Sequence, residues 1–158
     1  MRYLALPPVT VVLALAAAAP PAGAATSAQS SIRFAWSQQI TYAGVGDARA
    51  CRYMNEAYKR QLIIGARTAR DCPAAVKAIY LRERKNLGSA KLARQTRADA
   101  AAAKRTRITV TGSSARAKLK ATTGDCIRTQ NQRFTRTNGR WLVGDITANT
   151  ASLSCFSR

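Results

Sequence analysis

The spacing of hydrophobic positions changes along the chain, and the change divides it into a helical first part and an extended second part. The opening run is not periodic. Arg2 precedes a nearly continuous apolar stretch from Leu4 to Ala19, interrupted by Pro7 and Pro8 and followed by the small residues Ala22-Gly23-Ala24. A cation, a short apolar run and a small-residue cleavage site form the layout of a secretory signal peptide. The uninterrupted stretch is shorter than a permanent membrane span needs. Residues 1–25 therefore read as a signal peptide, 26–32 as a short polar leader, and 33–158 as a single domain with no internal repeat.

Within the domain, Arg33 to Tyr42 fits a short helix closed by Gly44 and Gly46. Asp47 offers an N-cap for a second helix running to about Ile63. Cys51, Met54, Tyr58 and Leu62 recur there at helical spacing, so they share one apolar stripe. Gly65 interrupts the pattern, and Asp71-Cys72-Pro73 restarts it with a capping side chain and a proline in the first turn. Cys72, Val76, Ile79 and Tyr80 form the apolar face of this third helix. Residues Ser89 to Lys104 are rich in Ala, Arg and Lys, with Leu92 the one large apolar residue, and read as a weakly anchored helix or an irregular connector.

From Thr106 the period becomes two. Ile108 and Val110 alternate with Arg107 and Thr109, Gly112-Ser113 supplies a type II′ turn, and Ala115, Ala117, Leu119 and Ala121 alternate with Arg116, Lys118 and Lys120. That turn sets Val110 opposite Ala115 and Ile108 opposite Ala117. A second hairpin is marked by Asn138-Gly139, a type I′ signal, which sets Phe134 opposite Val143 and Arg136 opposite Trp141. Phe134, Trp141 and Val143 then form a core cluster. Helices first and hairpins later predict an α+β domain, with N-terminal helices packed on an antiparallel sheet.

Charge adds a second constraint. The chain holds 26 Lys and Arg against 7 Asp and Glu, a formal net charge of +19, and loss of Arg2 with the signal lowers it by one. Such an excess attracts polyanions, including acidic envelope polymers. On the first hairpin Arg107, Arg116, Lys118 and Lys120 fall on one strand face, with Arg107 opposite Lys118, and are the candidate polyanion-binding residues. No helix-turn-helix, zinc-finger or aromatic-interleaved pattern marks nucleic acid.

The four cysteines, Cys51, Cys72, Cys126 and Cys155, all follow the signal. An even number in an exported chain reads as disulfides. Of the possible pairings, Cys51 with Cys72 and Cys126 with Cys155 join residues within each half of the domain, and the first pair would face the seam between two helices. Zinc is a poor alternative, because the chain has no histidine and no C-x-x-C pair. The lack of histidine also removes Ser–His and Cys–His nucleophiles, and neither a phosphate-binding loop nor a calcium or magnesium cluster occurs. No cofactor or metal is indicated.

The order of helices and strands, ending in Thr137-Asn138-Gly139-Arg140-Trp141-Leu142-Val143, resembles exported bacterial members of the nuclear-transport-factor-2-like superfamily over residues 33 to 149. The resemblance implies a cone-like fold, in which a curved sheet wraps a long helix and leaves a pocket at its open end. It also implies where catalysis would sit, since enzymes of that superfamily use an Asp with Tyr or His partners inside the cone. Asp47 and Asp71 read as helix caps and Asp125 lies beside a glycine, which leaves Asp145 as the catalytic candidate, beside Tyr53, Tyr58 or Tyr80. Strand parity puts Asp145 on the face of Trp141 and Val143. With no histidine to complete the family's pattern, the expectation is an exported, non-catalytic binding or accessory domain at the cell envelope. A polyanion binder and a small isomerase- or dehydratase-like enzyme are the alternatives.

Overall fold

The structure, a computed structural model, describes residues 22–123 and 126–148, with side chains over 27–118 and 131–146. Residues 1–21 of the expected signal peptide lie outside the described residues, while 22–25 fall in α1, and the expected Cys126–Cys155 pairing lies outside the described side chains. Four helices precede four strands: α1 (Ala22–Ala43), α2 (Glu56–Ala66), α3 (Cys72–Leu87), α4 (Ser89–Arg105), then β1 (Ile108–Thr111), β2 (Ser114–Thr123), β3 (Cys126–Thr137) and β4 (Arg140–Ala148). The strands form one antiparallel sheet in the order β1-β2-β3-β4. The α+β class expected from the periodicity is the class observed. Among the described residues, no helix is long and apolar enough to cross a membrane.

Both hairpins adopt the expected registers. Ile108 pairs with Ala117 and Val110 with Ala115, while Phe134 pairs with Val143 and Arg136 with Trp141. Gly112 has a positive φ, and so do both Asn138 and Gly139, as the two turn types require. The alternation therefore sends Ile108, Ala115, Ala117, Phe134, Trp141 and Val143 to one face, where they meet Ile32 and Trp36 of α1 and Ala103 of α4 in the main core.

The helices depart from the sequence expectation in four places. Helix α1 begins at Ala22 instead of Arg33 and runs through positions 26–32, read above as a leader. Tertiary anchoring outweighs the indifferent helix propensity of its Ser and Thr residues. Ile32 is fully buried, the Gln29 side-chain amide donates to the Ile108 carbonyl at 3.1 Å, and the Arg33 guanidinium donates to the Thr106 carbonyl at 3.3 Å.

The helix expected from Asp47 to Ile63 is broken. Asp47 does cap a helix, but a 3-10 helix over Ala48–Tyr53. Met54 is then extended and bridges in parallel to Val143, and the Asn55 N–H donates to the Val143 carbonyl at 2.8 Å. Asn55 starts α2 by accepting the Tyr58 N–H at 2.9 Å. The chain leaves the helix to extend the β4 edge of the sheet, which hydropathy does not encode. Even so, Cys51, Met54, Tyr58 and Leu62 still meet, in a second apolar cluster with Ala50, Cys72 and Val76.

Gly65 lies inside α2, which ends one residue later against Arg67, a non-glycine residue at positive φ. Residues 89–105 are helix α4 in full, and the small side chain of Ala103 lets α4 approach the core. Asp71 caps α3 by accepting the Ala74 N–H at 2.8 Å, with Pro73 in the first turn as expected. A disulfide joins Cys51 of the 3-10 helix to Cys72 at the start of α3, with Cα atoms 6.1 Å apart. Cys51 and Cys72 thus pair as expected, across a seam that the 3-10 helix, not α2, forms with α3.

The register makes a prediction about stability. Phe134 and Val143 are essentially inaccessible and Trp141 is 7% exposed, so Trp141→Ala removes a core aromatic and should cost about 3–5 kcal/mol. Denaturant melts of the variant and parent measure this, and coincident curves would place Trp141 on the surface.

Candidate functional site

A cleft of about 670 Å³ opens between the helices and the sheet. Each wall is one face of one element. Helix α1 contributes Trp36, Gln39, Ile40 and Ala43 at helical spacing, α3 contributes Ile79, Tyr80 and Glu83, and α4 contributes Leu92, Thr96, Asp99 and Ala103. Tyr58 of α2, Gln132 of β3 and Ile146 of β4 complete it. Trp36 is held by an edge-on contact with Phe134, ring centroids 5.3 Å apart, so the apolar wall belongs to the core.

Polar groups are set into this apolar lining. Gln132 is buried, and its side-chain amide donates to the Gly144 carbonyl at 2.6 Å and to the Arg133 carbonyl at 3.1 Å. Those bonds fix Gln132 at the sheet end of the cleft. Gln39 is 6% exposed. Burial pushes the Tyr58 phenol above its ordinary range, because the charged phenolate is disfavoured away from water. Asp99 stands at the mouth, where partial burial pushes its carboxyl upward for the same reason.

Asp145, the catalytic candidate, is not in the cleft. A bulge interrupts the β3–β4 pairing: Gln132 pairs with Ile146 and Phe134 with Val143, so Arg133 alone stands opposite Gly144 and Asp145. The extra residue shifts parity, and Asp145 pairs with Arg133 at 3.9 Å while Ile146 takes the cleft-facing position. Glycine suits the bulge, since a Cβ on Gly144 would stand 3.1 Å from both the Arg133 carbonyl oxygen and Asn55 Nδ2, which would have to give by a few tenths of an ångström. Of the tyrosines proposed to accompany Asp145, Tyr58 and Tyr80 line the cleft. Tyr53 does not; it stacks on Tyr42, centroids 6.0 Å apart, on another surface.

The basic strand face is also rearranged. Arg107 precedes β1, so its expected place opposite Lys118 lies just beyond the paired register, which begins at Ile108 and Ala117. Arg116 is opposite Thr109 on one side and Arg133 on the other, and Lys118 is opposite Asn131. Lys120 pairs in register with Thr129, and its side chain lies outside the described ones. Arg116, Lys118 and Arg133 are exposed. The like-charged neighbours are therefore Arg116 and Arg133, a cross-strand pair that the first hairpin alone does not reveal.

Sequence reasoning missed Asp99, Gln39 and the role of α4 as a wall. Asp99 is the one acid in the Ala-, Arg- and Lys-rich segment 89–105, and it lies on the helical stripe of Leu92, Thr96 and Ala103. That signal was present but required the segment to be helical.

Asp99 yields a pH prediction. A carboxyl whose folded-state pKa is raised binds its proton more tightly when folded, so its contribution falls as pH rises from the ordinary aspartate value through the raised one. Asp47 and Glu56, both lowered chiefly by side-chain hydrogen bonds from Arg49 and Lys59, act in the opposite sense. Asp99→Asn should leave stability unchanged at about pH 3 and raise it relative to the parent at about pH 7. Melts at the two pH values compare them, and a variant less stable at neutral pH would show that the carboxylate is structurally needed.

Neither a scan against protein-family models nor searches of curated proteins and solved structures find a match to this chain.

Proposed function

We propose that this chain is an exported binding domain, without catalysis of its own, whose helix–sheet cleft holds a small amphipathic ligand. The observation that carries the reading is the cleft itself: about 670 Å³, walled by Trp36, Ile40, Tyr58 and Ile79, with buried Gln39 and Gln132 set among them. A concave, largely apolar site with a few convergent polar groups is the usual form of a small-molecule site. The position of Asp145 on the outer side supports binding over an isomerase- or dehydratase-like reaction. Its carboxylate is engaged by Arg133 and separated from Tyr58 and Tyr80.

Export is part of the proposal, resting on the N-terminal leader pattern and on the Cys51–Cys72 bridge, which suits an oxidising compartment. A second bridge, Cys126 with Cys155, fits the same setting. The nuclear-transport-factor-2-like cone is the fold reading that agrees best with helices packed on one face of an antiparallel sheet and a cleft between them. Basic charge would hold the domain at an acidic envelope.

Native mass spectrometry of the protein secreted by its own host should show an adduct of small-molecule mass on the parent and none on Ile79→Trp, which fills the cleft. A parent without adduct, or an adduct indifferent to the substitution, refutes cleft binding.

The Arg116–Arg133 neighbours favour a second reading, in which an acidic polymer or envelope protein lies across the outer strand face. Replacing Arg116, Lys118 and Arg133 together with Gln should then lower retention on heparin far more than the same change at Arg82, Arg84 and Lys91. Equal losses would mean that net charge alone is at work.

A further inference from the structure

Charge is distributed against the cleft. Lys and Arg outnumber Asp and Glu 26 to 7 in the sequence, yet among the described residues no Lys or Arg lines the cleft, whereas Glu83 and Asp99 both do. The other described acids are engaged elsewhere: Asp47 with Arg49, Glu56 with Lys59, Asp145 with Arg133, and Asp71 with the Ala74 N–H. Glu83 has Arg82 at 3.5 Å. Asp99 has neither an ion pair nor a hydrogen bond among the described residues.

A second observation is independent of charge. Gln39 is more than nine-tenths buried and lines the cleft, and no hydrogen bond engages its carboxamide among the described residues. Buried amides are nearly always bonded, because leaving one unsatisfied is costly. Because Gln39 lines the cleft, a polar group lodged there would supply its partner. Around it stand Trp36, Tyr58 and Tyr80, whose ring faces favour cations as well as apolar surface.

We propose that the cleft binds an organic cation, its ammonium head held at the mouth by Asp99, with Glu83 a second carboxylate in the lining. Its apolar body lies against Trp36, Tyr58 and Tyr80, and a polar group on that body satisfies Gln39. This rests on the cleft being a small-molecule site. The rival is an organic anion drawn by the net charge of +19. That attraction is screened over roughly 8–10 Å at ordinary salt, and the described lining offers an anion no cationic partner. At contact range the carboxylates prevail.

Three probes with one body and different heads separate these cases: 4-(4-hydroxyphenyl)butylamine, 4-(4-hydroxyphenyl)butanol and 4-(4-hydroxyphenyl)butyrate, whose shared phenol offers Gln39 its partner, titrated calorimetrically into the oxidised protein. The amine should bind about tenfold more tightly than the alcohol, in line with one ion pair plus cation–π contact, and the carboxylate most weakly. Asp99→Asn should reduce the amine to the alcohol's affinity and leave the alcohol unchanged, which shows that the variant is folded with its cleft intact. Glu83→Gln should have a smaller effect in the same direction. Amine and alcohol binding alike, or carboxylate binding best, overturns the cation assignment while the cleft reading stands. Amine preference that survives Asp99→Asn overturns Asp99 as the counter-ion. Failure of all three probes to bind overturns the cation assignment and the cleft reading together.

Discussion

The edge-on contact between Trp36 and Phe134 is the junction on which the arrangement depends. Phe134 is central in the sheet, paired on one side with Ala115 and on the other with Val143. Trp36 is the aromatic by which α1 reaches it, with ring centroids 5.3 Å apart. Aromatic pairs of this geometry add about 0.5–1.5 kcal/mol beyond their buried area. The larger effect is positional. With Trp36 fixed there, the next turn of α1 must present Gln39 and Ile40 to the space between α3, α4 and the sheet. The small residues Ala115, opposite Phe134, and Ala117, opposite Gln132, leave room for both rings to be buried.

From that junction the sheet divides its chemistry by parity, and the bulge at Gly144 resets the division. Without the extra residue, Asp145 would follow Trp141 and Val143 inward, and a carboxylate would enter the core face. With it, Asp145 meets Arg133 outside and Ile146 continues the apolar lining. The same segment is braced by Asn55, whose N–H bonds Val143 while its side chain caps α2 and reaches the Thr135 hydroxyl at 3.3 Å. One residue thus ends the extended stretch, starts a helix and supports the bulge.

The parts of this structure that the sequence disclosed are those governed by local rules. Asn138-Gly139 determines a hairpin register because few residues accept positive φ in succession, and Asp71-Cys72-Pro73 starts a helix by capping and by a tolerated proline. The parts it concealed depend on contacts remote in sequence. Nothing around Ser27 to Ile32 marks a helix until β1 supplies the Ile108 carbonyl for Gln29 and the core supplies a place for Ile32. The break at Met54 follows from Val143, far along the chain. Parity counting carried Asp145 to the wrong face because a bulge is invisible to a period of two. The cleft was anticipated only through the family resemblance, and Tyr58 and Tyr80 were its only members named as site residues.

The cleft's polarity bears on why a chain so basic keeps acids where it does. Four of the described carboxylates have a guanidinium or ammonium within ion-pair distance, namely Asp47, Glu56, Glu83 and Asp145. On α4, by contrast, Lys91, Arg94, Arg97, Lys104 and Arg105 occupy positions off the cleft-lining stripe, and Asp99 occupies one on it. Solubility alone would be served by a cation at that position too. A carboxylate placed there instead, its ionised form disfavoured by partial burial, makes no ion pair or hydrogen bond among the described residues. Stability therefore gives no account of Asp99. A ligand that brings its own positive charge does, because it turns an unfavourable desolvation into a paired one and fills the space in which Gln39 lacks a partner.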